Sequence, residues 1–123
     1  MLIPVLHFCG DCANAIALYE KAFNSKADID YKNDNEIRWA EMLICGQKVF
    51  LNDRHDLGNK NRTLDGTTHL MVTFNTVDEL LACYEVFKDK SKIIDPFAEA
   101  PYSKLCGNFI DDFGVLWMFF VVR

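Results

Sequence analysis

No cluster of Lys and Arg runs along this chain, and its formal net charge is −5, so nucleic acid and anionic membrane surfaces are excluded as expected partners. The nearest basic group, Lys88, Lys90 and Lys92, follows a predicted helix, where cations favour the negative end of the helix dipole. No apolar run is long enough to cross a bilayer. The longest, Val115 to Val122, has less than half the required length and reads as a buried strand. No basic segment or small-residue cleavage site follows Met1, so no signal peptide is expected. Five cysteines, Cys9, Cys12, Cys45, Cys83 and Cys106, make an odd number without the spacing of a disulfide framework. Reduced thiols in the cytoplasm are the expectation. Cys9-Gly10-Asp11-Cys12 has the gap of a redox dithiol or of half a zinc site, but no second pair completes a zinc site. There is no Gly-rich phosphate loop, nucleophile elbow or Ser-His-Asp order. Methyl transfer from a nucleotide-type cofactor has no support either, because no glycine-rich turn follows the first strand. Cys12, near a predicted helix start, is left as the one candidate nucleophile, and its ordinary reading is an inert thiol.

What is present is the balance of one globular domain. Half of the 123 residues are apolar and a quarter are charged, which suits one hydrophobic core. Leu2 to Phe8 reads as a strand, and Asp11 to Phe23 as a helix with Ile16, Tyr19 and Phe23 at helical spacing. Ala27 to Tyr31, Ile37 to Leu43 and Lys48 to Leu51 read as strands, separated by turns at Asn33-Asp34-Asn35 and Cys45-Gly46-Gln47. A polar connector from Asp53 to Gly66 follows, with His55 expected in solvent. The pattern then repeats. Thr68 to Phe74 reads as a strand, Thr76-Val77-Asp78-Glu79 as a capping box, and Leu80, Cys83, Tyr84 and Phe87 as the apolar stripe of a second helix. Strands are expected at Lys92 to Ile94, Leu105 to Ile110 and Val115 to Val122, the last two joined by Asp111-Asp112-Phe113-Gly114. Ala17-Leu18-Tyr19-Glu20 echoes Ala82-Cys83-Tyr84-Glu85, which supports two copies of one βαβββ unit, about 1–53 and about 67–123.

Two such units resemble the paired modules of the vicinal oxygen chelate superfamily, the glyoxalase and bleomycin-resistance-like proteins. Leu6-His7-Phe8-Cys9-Gly10 followed by Ala15 to Phe23 is similar to the opening of its PhnB-like branch. Gly107-Asn108-Phe109-Ile110-Asp111-Asp112-Phe113-Gly114-Val115-Leu116-Trp117 is similar to the ending of that branch, with Asp112 where a proline is usual. The resemblance implies an α+β fold whose curled mixed sheets form a half-barrel around a small-molecule site.

In metal-dependent members of that superfamily, two imidazole positions and two carboxylate positions hold a divalent cation. The resemblance carries the imidazoles to His7 and His69. The carboxylate positions fall on Phe50, four residues after Gly46, and Met118, four after Gly114. Neither side chain binds a hard cation. A register slip of two would bring in Asn52, and Glu41 on the neighbouring strand remains a conceivable oxygen ligand, so any metal would fall to His7, His69 and Glu41. No cofactor is therefore expected. Trp39, Trp117, Phe119 and Phe120 suit a core or an oligomer interface better than cofactor stacking.

The expected function is a small-molecule binding protein or metal-independent enzyme, its cavity lined by His7, Phe50, His69, Trp117 and Met118. The rival is a metal-dependent lyase, dioxygenase or thiol transferase of glyoxalase or fosfomycin-resistance type. A structural or regulatory dimer is the third reading. Apolar faces and open sheet edges point to a homodimer, as the resemblance also implies.

Overall fold

The computed structural model describes residues 1–55 and 68–123, and its elements run strand, helix and three strands, twice over. Two compact units divide the chain, Met1–Arg62 and Thr63–Arg123. Most of the expected polar connector lies outside the described residues.

The first unit comprises β1 (Val5–Phe8), α1 (Cys12–Phe23), β2 (Asp28–Asn33), β3 (Glu36–Ile44) and β4 (Gln47–Asp53), with sheet order β1-β4-β3-β2. β1 runs parallel to β4, because α1 carries the chain over the sheet before it returns, and the other pairs are antiparallel. Cys12, Ala15, Ile16 and Tyr19 recur at helical spacing and are buried. The sheet residues buried with them alternate along the strands, Ala40, Met42 and Ile44 on β3 and Val49 and Leu51 on β4, with Ile37 buried at the start of β3 out of that step. Cys45 and Gly46 both have positive φ, 51° and 81°, which gives the β3–β4 hairpin a two-residue turn whose twist matches the strands.

The second unit comprises β5 (Leu70–Phe74), α2 (Val77–Phe87), β6 (Lys92–Ala100), β7 (Ser103–Ile110) and β8 (Leu116–Val122), with sheet order β5-β8-β7-β6. β5 is parallel to β8 and the rest are antiparallel, so this sheet is mixed as well. Its core is aromatic. Phe87 of α2 lies 5.7 Å from Trp117 and 5.8 Å from Phe119, ring centre to ring centre, and Phe109 lies 4.9 Å from Phe119. A 3-10 turn over Lys88–Lys90 prolongs α2, and Lys88 pairs with Glu85 one turn back, so these lysines occupy a solvated helix end.

The protein is thus α+β, built of two βαβββ modules with unclosed mixed sheets. No described helix is long and apolar enough to cross a membrane.

Candidate functional site

In the first unit, strand pairing separates the face under α1 from the face turned away from it. Leu6 pairs with Leu51 on the helix side, while Val5 pairs with Phe50 and His7 with Asn52 on the other. Glu41 pairs with Phe50 across the β3–β4 ladder and joins the same face. Trp39 is two residues before Glu41, and its ring centre is 4.8 Å from that of Phe50. Three of the expected site residues, His7, Phe50 and Glu41, are therefore brought together.

His7 has a polar partner that spacing reached only through a shifted register. Its Nδ1 lies 2.7 Å from Oδ1 of Asn52, a residue only 5% exposed. With that oxygen accepting, Nδ1 carries the proton and Nε2 keeps its lone pair for another donor. Glu41 is engaged differently. One carboxylate oxygen stands 3.0 Å from Nζ of Lys48, which lies two residues from Phe50 on the same face.

In the second unit, Met118 faces away from α2, paired with Met71 on one side and Asn108 on the other. Asn108 donates through Nδ2 to Asp95 at 2.9 Å. Its side-chain oxygen is buried with no hydrogen-bond partner among the described residues. Nothing in the sequence distinguished Asn108 from its neighbours in the closing motif.

Trp117 has to be moved out of the expected cavity. It is 1% exposed and lies on the helix side beside Phe87, and its Nε1 donates to Oδ2 of Asp111 at 2.9 Å. Alternation along β8 puts neighbouring residues on opposite faces, so Trp117 and Met118 cannot line one surface. Trp117 is a core residue of the second unit.

His69 is exposed and immediately precedes β5. The two imidazoles do not occupy equivalent places in their modules. His7 is level with Asn52, six residues beyond Gly46, whereas Leu70 is level with Trp117, three beyond Gly114, which puts His69 at the second. The residue of the second unit at the level of His7 is Thr73, level with Phe120. A difference of four strand residues corresponds to about 13 Å.

These residues do not fit a divalent cation as a donor set. His7 has Nε2 available, but Glu41 is ion-paired with Lys48, and Phe50 and Met118 carry no hard donor atom. Among the described residues, no group of three His, Cys, Asp or Glu side chains could hold a metal ion. Cys12 does not serve as a nucleophile. It is fully buried, and burial, with the Asp53 carboxylate nearby, pushes its thiol up to about 12.

Comparison with known proteins agrees with this architecture. The model of the Glyoxalase/Bleomycin resistance protein/Dioxygenase superfamily matches residues 2–119. Among solved structures, the chain is similar to a putative 3-demethylubiquinone-9 3-methyltransferase, PhnB protein, from Bacillus cereus, with TM-score 0.84, 24% identity and 98% of each chain covered. It is also similar to a protein from Pseudomonas aeruginosa, with TM-score 0.84 and 17% identity over 99% of this chain and 97% of the other. A glyoxylase/bleomycin resistance protein/dioxygenase domain from Frankia sp. aligns with TM-score 0.72 and 18% identity, over 98% of this chain and 90% of that one. These identities establish likeness of fold. No curated protein matches the chain.

Proposed function

The chain belongs to the Glyoxalase/Bleomycin resistance protein/Dioxygenase superfamily, and from that premise we propose that it is a small-molecule binding protein or metal-independent enzyme of that class. Its ligand is held against the face of the first unit's sheet turned away from α1. The observation that carries this reading is the His7–Asn52 pair, a hydrogen-bonded polar couple set among Val5, Trp39 and Phe50. Small-molecule sites use a few such groups to orient a mostly apolar ligand. Nε2 of His7 accepts from a ligand hydroxyl or amide. In the second unit, taken by itself, the oxygen of Asn108 is an acceptor on the face that carries Met118.

Cys9, Cys12, Cys45 and Cys106 are free thiols, which supports a reducing, cytoplasmic location. We further propose a homodimer, supported by the exposed apolar side chains Leu2, Val5, Met71 and Val122 near the β1 and β5–β8 strands. Light scattering at micromolar concentration is expected to give twice the chain mass. A monomer mass there rejects the dimer.

The functional reading is tested by a thermal-shift screen of small polar and aromatic metabolites on protein purified in chelator. A stabilising ligand is expected, with affinity reduced about tenfold by His7→Ala or Asn52→Ala. Unchanged affinity in both folded variants contradicts the proposal.

A further inference from the structure

A second constellation stands at one end of the first unit's sheet. β1 and β4 are parallel and end together, and β3, antiparallel to β4, begins beside them. Hydrogen bonding continues past the strand ends, from the Arg54 N–H to the Phe8 carbonyl at 2.7 Å. Cys9, His55 and Glu36, far apart in sequence, meet there. Sγ of Cys9 is 3.1 Å from Nδ1 of His55, and Nε2 of His55 is 3.2 Å from Oε1 of Glu36.

We propose that Cys9, His55 and Glu36 form a thiol–disulfide exchange site that takes a low-molecular-weight disulfide and retains half of it as a mixed disulfide on Cys9. A nucleophile in hydrogen-bond reach of a base, with the base oriented by a third group, is the arrangement that activates a weak nucleophile. The carboxylate sets the tautomer. As an ionised acceptor, Glu36 takes the Nε2–H of His55, which leaves the lone pair on Nδ1 facing the thiol. The hydrogen bond from His55, with Lys32 at 3.7 Å, holds the Glu36 carboxyl below its ordinary range. Asp53, Asp11 and Arg54 are further charged residues at this end, and Asp53 accepts from the Gly10 and Cys12 N–H groups at 2.8 and 3.1 Å.

His55 Nδ1 takes the thiol proton, and the Cys9 sulfur attacks one sulfur of the incoming disulfide. One S–S bond forms as one breaks, and the departing thiolate recovers the proton from His55. The exchange is balanced without any other oxidant. Cys12, three residues on, would have to attack as a thiolate to release the adduct. Buried, with a thiol pushed up to about 12, it stays protonated, so the mixed disulfide persists.

The test is intact-protein mass spectrometry with peptide mapping during incubation with oxidised glutathione. Cys45, away from this cluster, is a second thiol in the same molecule, but partial burial pushes it above its ordinary value, so the deciding comparison is Cys9 in the parent against Cys9 in the variants. The expected result is a predominant reducible adduct on Cys9, formed about tenfold faster in the parent than in His55→Asn, less than buried general bases deliver. Glu36→Gln should move the rate profile to more alkaline pH, an effect that loss of a merely structural contact does not produce. Cys12→Ala should leave the rate and the adduct unchanged. An undiminished rate at Cys9 in folded His55→Asn, or a Cys9–Cys12 disulfide in place of the adduct, would overturn the proposal.

Discussion

Two aspartates hold the chain at points that hydrophobic patterning does not show. Asp53 accepts from Gly10 and Cys12 through Oδ1 and from Ile37 through Oδ2 at 2.9 Å, tying the start of α1 and the start of β3 to the end of β4. Asp111, 6% exposed, accepts from the N–H groups of Phe113 and Val115 at 2.9 and 3.0 Å and from the Trp117 indole. Removing such a carboxylate leaves buried donors unpaired, so Asp111→Ala should cost about 3 kcal/mol. Urea unfolding measures it, and a loss below about 1 kcal/mol would contradict the anchoring role. Cys12 makes a prediction in pH. Its thiol is raised in the folded protein from an ordinary value of 9.0 to about 12, so above pH 9 the unfolded chain releases a proton that the folded one keeps. Stability contributed by the protonated thiol is whole below pH 9 and falls by up to about 1.4 kcal/mol per pH unit from there toward pH 12. Cys12→Ala should flatten that decline in urea melts at pH 9 to 10.5, and an identical slope in the variant would remove this account of Cys12. At this scale the sequence disclosed residue types but not their partners. Asp111 was visible as part of a turn, His55 only as a polar connector residue. The Asp53 and His55 partners depend on where strand ends meet, since Gly10 lies 43 residues from Asp53 and Cys9 lies 46 from His55.

Among the elements, the two helices start differently. The Thr76 hydroxyl accepts from the Glu79 N–H at 3.1 Å, as the capping box predicts, while the Glu79 carboxylate reaches the Asn75 N–H at 3.4 Å, one residue earlier than expected. α1 has no cap from its own N-cap residue, Asp11, and relies on Asp53 from β4 for the N–H of its first residue. Thr76→Ala is accordingly expected to cost about 1 kcal/mol, a local loss, while Asp53→Ala disturbs three segments at once and should cost more. Equal thermal stability of Thr76→Ala and the parent would show that the cap contributes nothing. β6 is the element least visible in advance, expected over three residues and observed over nine. Pro96 lacks a ladder donor and the register shifts around it, between Asp95 and Ala98, which hides the alternation of a regular strand. Gly107 on β7 fits there for steric reasons, since a β-carbon would approach the Phe97 ring to 2.6 Å. The other strands matched their expected positions within about three residues.

For the whole molecule, duplication was legible because both modules keep the same order of elements and a helix bearing the same Tyr-Glu pair. The candidate site was legible in part. His7 and Phe50 were named through the resemblance and Glu41 through its neighbouring strand; that the three share a face follows from strand alternation once the register is known. Trp117 was misplaced because β8 is apolar on both faces and conceals its own alternation. The levels of His7 and His69 differ because resemblance aligns motifs, whereas hydrogen-bonded register decides height along a sheet. The central claim is that this chain recognises a small molecule through His7 without a metal. Calorimetric titration of the ligand found by screening into chelator-treated protein, parent and His7→Ala side by side, tests it most directly. The account predicts binding by the metal-free parent and about tenfold weaker binding by the variant; binding that appears only after a divalent cation is restored, or that is equal in both proteins, would contradict it.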